Sequence, residues 1–134
     1  MCAEKASWVK QIRDSFHLPH LGILHYSGDQ CVGGAEFVPS LAVPYPVPKG
    51  DKMAFLTCSF LSDEVADYRT APLRKLEEEL PGLGFSELIA VVSEDVVFPN
   101  GTLKWFLDRG YRDLGEVYFE ERDFARQHLV KKEL

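Results

Sequence analysis

The chain has 134 residues, of which 46% are hydrophobic, and its 21 Asp and Glu outweigh 15 Lys and Arg to give a formal charge of -6. That length supports one compact core, so a single domain over residues 1–134 is expected, and an acidic balance without a basic run disfavours nucleic acid or an anionic membrane as partner. No stretch approaches the ~20 apolar residues of a membrane helix and no signal peptide is visible, so a cytoplasmic protein is expected.

Residues 6–16 place Trp8, Val9, Ile12 and Phe16 near one helical stripe, with Lys10, Arg13 and Asp14 elsewhere, which predicts a short amphipathic helix. After the break at His17-Leu-Pro-His20, residues 21–26 and 31–38 read as two strands joined by Ser27-Gly28-Asp29, a tight-turn composition. Gly33-Gly34 inside the second strand predicts a bulge or a close backbone approach. Pro44, Pro46 and Pro48 around Tyr45 exclude a regular helix or central strand over residues 40–50 and predict an extended loop bordering any cleft.

The run from Met53 to Leu61 is apolar on both faces, and residues 88–92 are unbroken and β-branched, so both read as strands covered on two sides. Between them Leu73, Leu76 and Leu80 recur at helical spacing, Pro72 suits a first turn and Pro81-Gly82 stops the helix. The connection is long enough for a right-handed parallel crossover, so the fold class is α/β with a mixed sheet. A helix entered from a central strand aims its N–H groups beyond the strand end, making residues 62–70 a candidate phosphate site. Residues 102–109 read as a further helix carrying Leu103, Phe106 and Leu107, stopped by Gly110, and residues 116–120 with 127–132 are expected to close the sheet as a hairpin.

Two carboxylates stand out as candidate general bases, each against a plainer reading as an exposed side chain. Glu94 ends the second parallel strand, where ligands collect in such sheets, and Glu36 lies in the hairpin strand after Gly33-Gly34. Cys58, midway along a buried strand, reads as packing rather than nucleophile. Cys2, Cys31 and Cys58 are odd in number and lack a C-x-x-C pair, so reduced thiols are expected. His17, His20 and His25 with Cys31 are metal-ligand types that nothing in the sequence draws together, and no metal is expected. Asn100-Gly-Thr102 matches the glycosylation sequon but reads most simply as a turn leading into a helix.

The order of these elements, the helix end Trp105-Phe-Leu-Asp-Arg-Gly-Tyr111 and the closing His128-Leu-Val-Lys-Lys132 resemble the GNAT superfamily of acyl-CoA-dependent N-acetyltransferases over residues 21–134. That family's helix end runs aromatic or aliphatic, Tyr, any, basic, any, Gly, aromatic. Here Trp105 and Phe106 take the first two places and Gly110-Tyr111 the last two. The resemblance implies a centrally splayed sheet, acetyl-CoA as cosubstrate, no metal, and direct attack on the thioester by an amine of a small molecule or protein, with Glu94 or Glu36 as base. It implies that pantetheine pairs along Cys58, Ser59, Phe60 and Leu61 opposite residues 92–94, that the pyrophosphate sits on Arg69, Thr70, Ala71, Leu73 and Arg74, and that Phe106 lies beside the departing sulfur.

The departures from the family lie at the same places. Pro72 replaces the first glycine of the phosphate signature and removes an N–H donor, Arg74 adds bulk, and Phe106 stands where the family's Tyr gives a proton to the thiolate. Acetyltransferase is therefore the leading expectation. A degenerate acyl-CoA-binding sensor and a non-enzymatic module, homodimerising through the hairpin or the proline-rich loop, are the alternatives.

Overall fold

A computed structural model of the chain describes residues 3–44, 46–61, 69–94, 100–117 and 126–134. Helix α1 (Ala3–Phe16) ends where His17 turns left-handed at φ 56° and the Leu18 N–H donates to the Arg13 carbonyl at 3.0 Å. Pro19 follows and cannot continue the helix, while Leu18 is buried in the core, a hydrophobic contact of the kind that accompanies such caps. Strands β1 (Gly22–Ser27) and β2 (Gln30–Pro39) form the expected hairpin. Its register slips between His25, opposite Gly33, and Tyr26, opposite Cys31, which leaves Val32 as the extra residue beside the glycine pair.

Among the described residues there follow β3 (Met53–Leu61), α2 (Thr70–Glu79), β4 (Glu87–Ser93), α3 (Leu103–Leu107), β5 (Arg112–Val117) and β6 (Gln127–Glu133). Six strands among the described residues are ordered β1-β2-β3-β4-β6-β5, with β3 and β4 paired in parallel. The sheet is covered on two faces, as the double-sided apolar runs require. Ala35, Phe37, Leu56, Leu88, Val92 and Val130 pack with Leu73 and Leu76 of α2 and Phe106 of α3. On the other face Val38, Phe55, Ile89, Val91 and Leu129 pack with Ile12 of α1. No helix among the described residues is long and apolar enough to cross a membrane.

Two segments differ from expectation. The loop after β2 opens with a 3-10 turn, Ser40–Ala42, and is closed by the buried Ser40 hydroxyl, which donates to the Gly50 carbonyl at 3.1 Å and accepts its N–H at 3.0 Å. The last hairpin begins earlier than residue 116, because Gly115 at φ 112° and a register slip between Asp113 and Glu116 break the strand's alternation. Residues 118–120 of the expected strand lie outside the described residues. Over the α2 face a polar tie joins three elements. Tyr111 donates its hydroxyl to Glu77 at 2.7 Å, and the Lys132 ammonium donates to Glu77 and to the Arg109 carbonyl, both at 2.9 Å.

Candidate functional site

The β3–β4 ladder runs through three pairs, Met53 with Glu87, Ala54 with Leu88 and Phe55 with Ile89, and then stops although both strands continue. The cause lies in β3. Between Glu36, opposite Cys58, and Phe37, opposite Leu56, the register with β2 slips by one, and Thr57 becomes a bulge residue. A bulge bends its strand and sharpens its twist, so β3 leaves β4 at this point.

The opened edges are joined by one side chain. The Ser59 N–H donates to Asn100 Oδ1 at 3.0 Å, and Asn100 Nδ2 donates to the Val91 carbonyl at 3.0 Å. The carboxamide thus spans the diverging strands as a peptide group would. One step further, the Ser93 N–H reaches the Gly101 carbonyl at 3.3 Å. Asn100 holds this position from a left-handed backbone, φ 66°, which asparagine tolerates better than most residues. Thr102 then caps α3 by accepting the Trp105 N–H at 3.3 Å. The sequence reading of these residues as a turn into a helix missed the bridge, which no spacing signals because it depends on where the fold sets Asn100 between the parted strands.

Strand alternation sets which groups face the gap. Since the Ser59 backbone points there, Cys58 and Phe60 direct theirs toward Glu36 and Gly34 of β2, and Leu61 is the next gap-facing residue. On β4 the gap-facing residues are Val91 and Ser93 rather than Val92.

The two candidate bases are not brought together. Glu36 lies between Ala35 and Phe37, both in the α2-side core, so its side chain is on the α1 side. Glu94 follows the end of β4 on the opposite side, where His128, paired with Val92, brings Nε2 to 3.7 Å from the Glu94 carboxylate. His128 Nδ1 is 3.1 Å from Asp113, and Glu116 completes a group whose ligand-type atoms, with those of Glu94 and His128, lie within 4.8 Å of one another. Burial alone would push the Asp113 carboxyl up, but the Gly115 N–H and His128 together hold it below its ordinary value. Sequence reasoning missed His128 because its partners come from two other segments, the end of β4 and strand β5. Among the described residues this is the group that clusters; His17, His20, His25 and Cys31 do not, and His20 instead contacts Glu79 at 3.3 Å.

At the start of α2 the expected phosphate residues divide. The Arg69 carbonyl accepts the Leu73 N–H at 3.1 Å, and the Leu73 side chain is core, so neither Leu73 group faces a ligand. Pro72 is buried and has no N–H to offer at the helix start. Arg74 is exposed one turn on. Arg69 lies 4.4 Å over the Trp105 ring and donates to the Asn100 carbonyl at 3.2 Å. Arg109, which the sequence reading passed over, stacks on the same ring at 3.8 Å and donates to the Thr70 hydroxyl at 3.0 and 2.8 Å. Two guanidinium groups therefore flank one indole beside the helix start, and Arg69 ties them to the strand gap. Residues 62–68 of the expected loop lie outside the described residues.

Phe106 is fully buried, edge-on to Trp105 at 4.9 Å and to Tyr111 at 5.1 Å. The nearby phenol of Tyr111 is bonded to Glu77; burial first, and the Glu77 charge second, push its pKa far above the ordinary tyrosine value.

No protein-family model and no curated protein matches this sequence. Solved structures do. A ribosomal-protein-alanine N-acetyltransferase from Brucella melitensis superposes with a TM-score of 0.71 at 16% identity, covering 98% of this chain and 77% of that one. An aminoglycoside 6'-N-acetyltransferase complexed with coenzyme A gives 0.64 at 10% identity over 98% of this chain and 92% of that one. An acetyltransferase from Bacillus cereus gives 0.62 at 13% identity, covering 100% and 94%. A strand-helix-strand unit splayed by a bulge, together with these likenesses, gives this chain the fold of the GNAT acetyltransferases.

Proposed function

We propose that this chain transfers an acyl group from acetyl-CoA to a primary amine of a small molecule or protein. One observation carries the reading: an amide already sits between Ser59 and Val91, so the splayed strands present groups of the kind that pair with pantetheine, whose own arm contains two amides. Leu61 extends that edge along β3. At the other end, Arg69 and Arg109 beside the start of α2 suit a diphosphate, charge standing in for the donor that Pro72 lacks. In the reaction the amine lone pair attacks the thioester carbon, the C–N bond forms, and the C–S bond breaks with its electron pair going to sulfur. The amine proton goes to a carboxylate. Glu94, beyond the carboxyl end of β4 and beside His128, is the assigned base, and Glu36 on the other side is the alternate.

A second reading, acyl-CoA binding without turnover, is favoured by the phenyl ring of Phe106 and by the commitment of the Tyr111 phenol to Glu77. Calorimetric titration with acetyl-CoA tests both. Micromolar binding is expected, weakened about tenfold or more in Arg69→Ala, as befits loss of a charge-assisted contact, and weakened by salt. Absence of binding at millimolar ligand refutes both readings. Thiol release in the presence of a panel of amines then separates enzyme from binder.

A further inference from the structure

One side chain at the gap is buried with its polar group unmatched. Ser59 is 7% exposed, and among the described residues its Oγ, shut off from solvent, has no hydrogen-bond partner. A buried hydroxyl in this state destabilises the folded chain, because its hydration is lost and nothing replaces it. Such a group is retained at a cost, and its position indicates for what. The Ser59 N–H is held by Asn100, so the residue is fixed at the point where β3 and β4 separate. By register Ser59 opposes Ala35, which puts its side chain on the sheet face that carries Phe106. The Phe106 ring borders Gly101, next to the bridging asparagine, and has no hydroxyl to offer.

We propose that the Ser59 hydroxyl is the hydrogen-bond donor to the thioester of bound acyl-CoA, in the place left without a phenol by Phe106. The inference rests on the acyl-CoA reading above. The serine keeps its proton throughout, since an alkyl hydroxyl is a far weaker acid than a thiol. The C–S electron pair leaves on sulfur, the hydrogen bond stabilises the charge that develops on the thioester, and the proton released by the amine passes to the carboxylate and on to solvent.

The test compares wild type with Ser59→Ala, using acetyl-CoA and, as a probe that has the phosphates but no thioester, adenosine 3',5'-bisphosphate. The variant is expected to melt at or above the wild-type temperature, to bind the bisphosphate like wild type, and to bind acetyl-CoA about three- to tenfold more weakly. Where thiol release is measurable it falls further than affinity does. Acetyl-CoA affinity within about twofold of wild type overturns the proposal, as does an equal loss for both probes or a lower melting temperature, which would show the hydroxyl to be partnered in the fold. If wild type binds neither probe, the acyl-CoA reading falls first and this inference with it.

Discussion

Strands β3 and β4 are two different objects along their length. At the Met53 and Glu87 end they are ordinary ladder neighbours, backed by Leu88 and Ile89 in the two cores and, over the α2 face, by the tie among Tyr111, Glu77 and Lys132. At the Ser59 and Val91 end the backbones have parted, and the Asn100 carboxamide joins them. Both halves are buried on their faces, but in the first the two backbones pair directly, whereas in the second they are joined through two side-chain hydrogen bonds that a ligand of the right shape can imitate. The contrast shows how one sheet serves both ends: the closed half supplies the rigidity against which the open half can be left incomplete.

Removing packing from the closed half should do the most damage. Leu88→Ala takes a fully buried side chain from the central strand and is expected to cost about 2–5 kcal/mol in urea unfolding. A cost near zero would mean that the closed half is not the stabilising one. At the open half, Asn100→Gly keeps the left-handed backbone and deletes the bridge. With the Ser59 N–H and Val91 carbonyl unpaired, a loss of about 1–3 kcal/mol is expected. The sharper readout is hydrogen exchange: the Ser59 amide should lose protection while the ladder amides around Phe55 keep theirs. Equal loss at both would merge the two halves into one cooperative unit.

The smallest effect at neutral pH belongs to Tyr111→Phe, which deletes one hydrogen bond over the closed half, worth about 0.5–1.5 kcal/mol. Its larger signature lies in alkali. The phenol's pKa is raised in the fold, so its stabilisation is complete below the unfolded value, near ~10, and is lost as pH rises beyond it. The variant should therefore show a flatter alkaline limb of unfolding than wild type. Parallel limbs would show that another group sets it.

Much of this molecule was legible in its sequence wherever one element carries its own signal. The double-sided apolar run of β3, the β-branched β4 and the leucine spacing of α2 each report burial directly, and together they specify the parallel unit. Strand β5 was placed late because Gly115 breaks its alternation and its residues are exposed along most of its length. The site was less legible, since its groups meet by register rather than by spacing. Glu36 and Glu94 look equivalent on paper, and only the pleat assigns them to opposite sides of the sheet. The helix start looked like a run of phosphate contacts, but helix hydrogen bonding consumes Leu73, and Arg109, 39 residues from the Thr70 it contacts, completes it.

The bridging residue is followed by glycine, the neighbour that least hinders attack of its backbone nitrogen on an asparagine side chain. Asn100 is thus chemically perishable whenever it is loose, and cyclisation followed by hydrolysis would replace Nδ2 with an oxygen facing the Val91 carbonyl, turning attraction into repulsion. Both hydrogen bonds restrain the rotation of the carboxamide that such an attack requires. The fold therefore protects the bond that keeps its own gap in order, and a chain that lingers unfolded ages at the very residue that joins its two central strands.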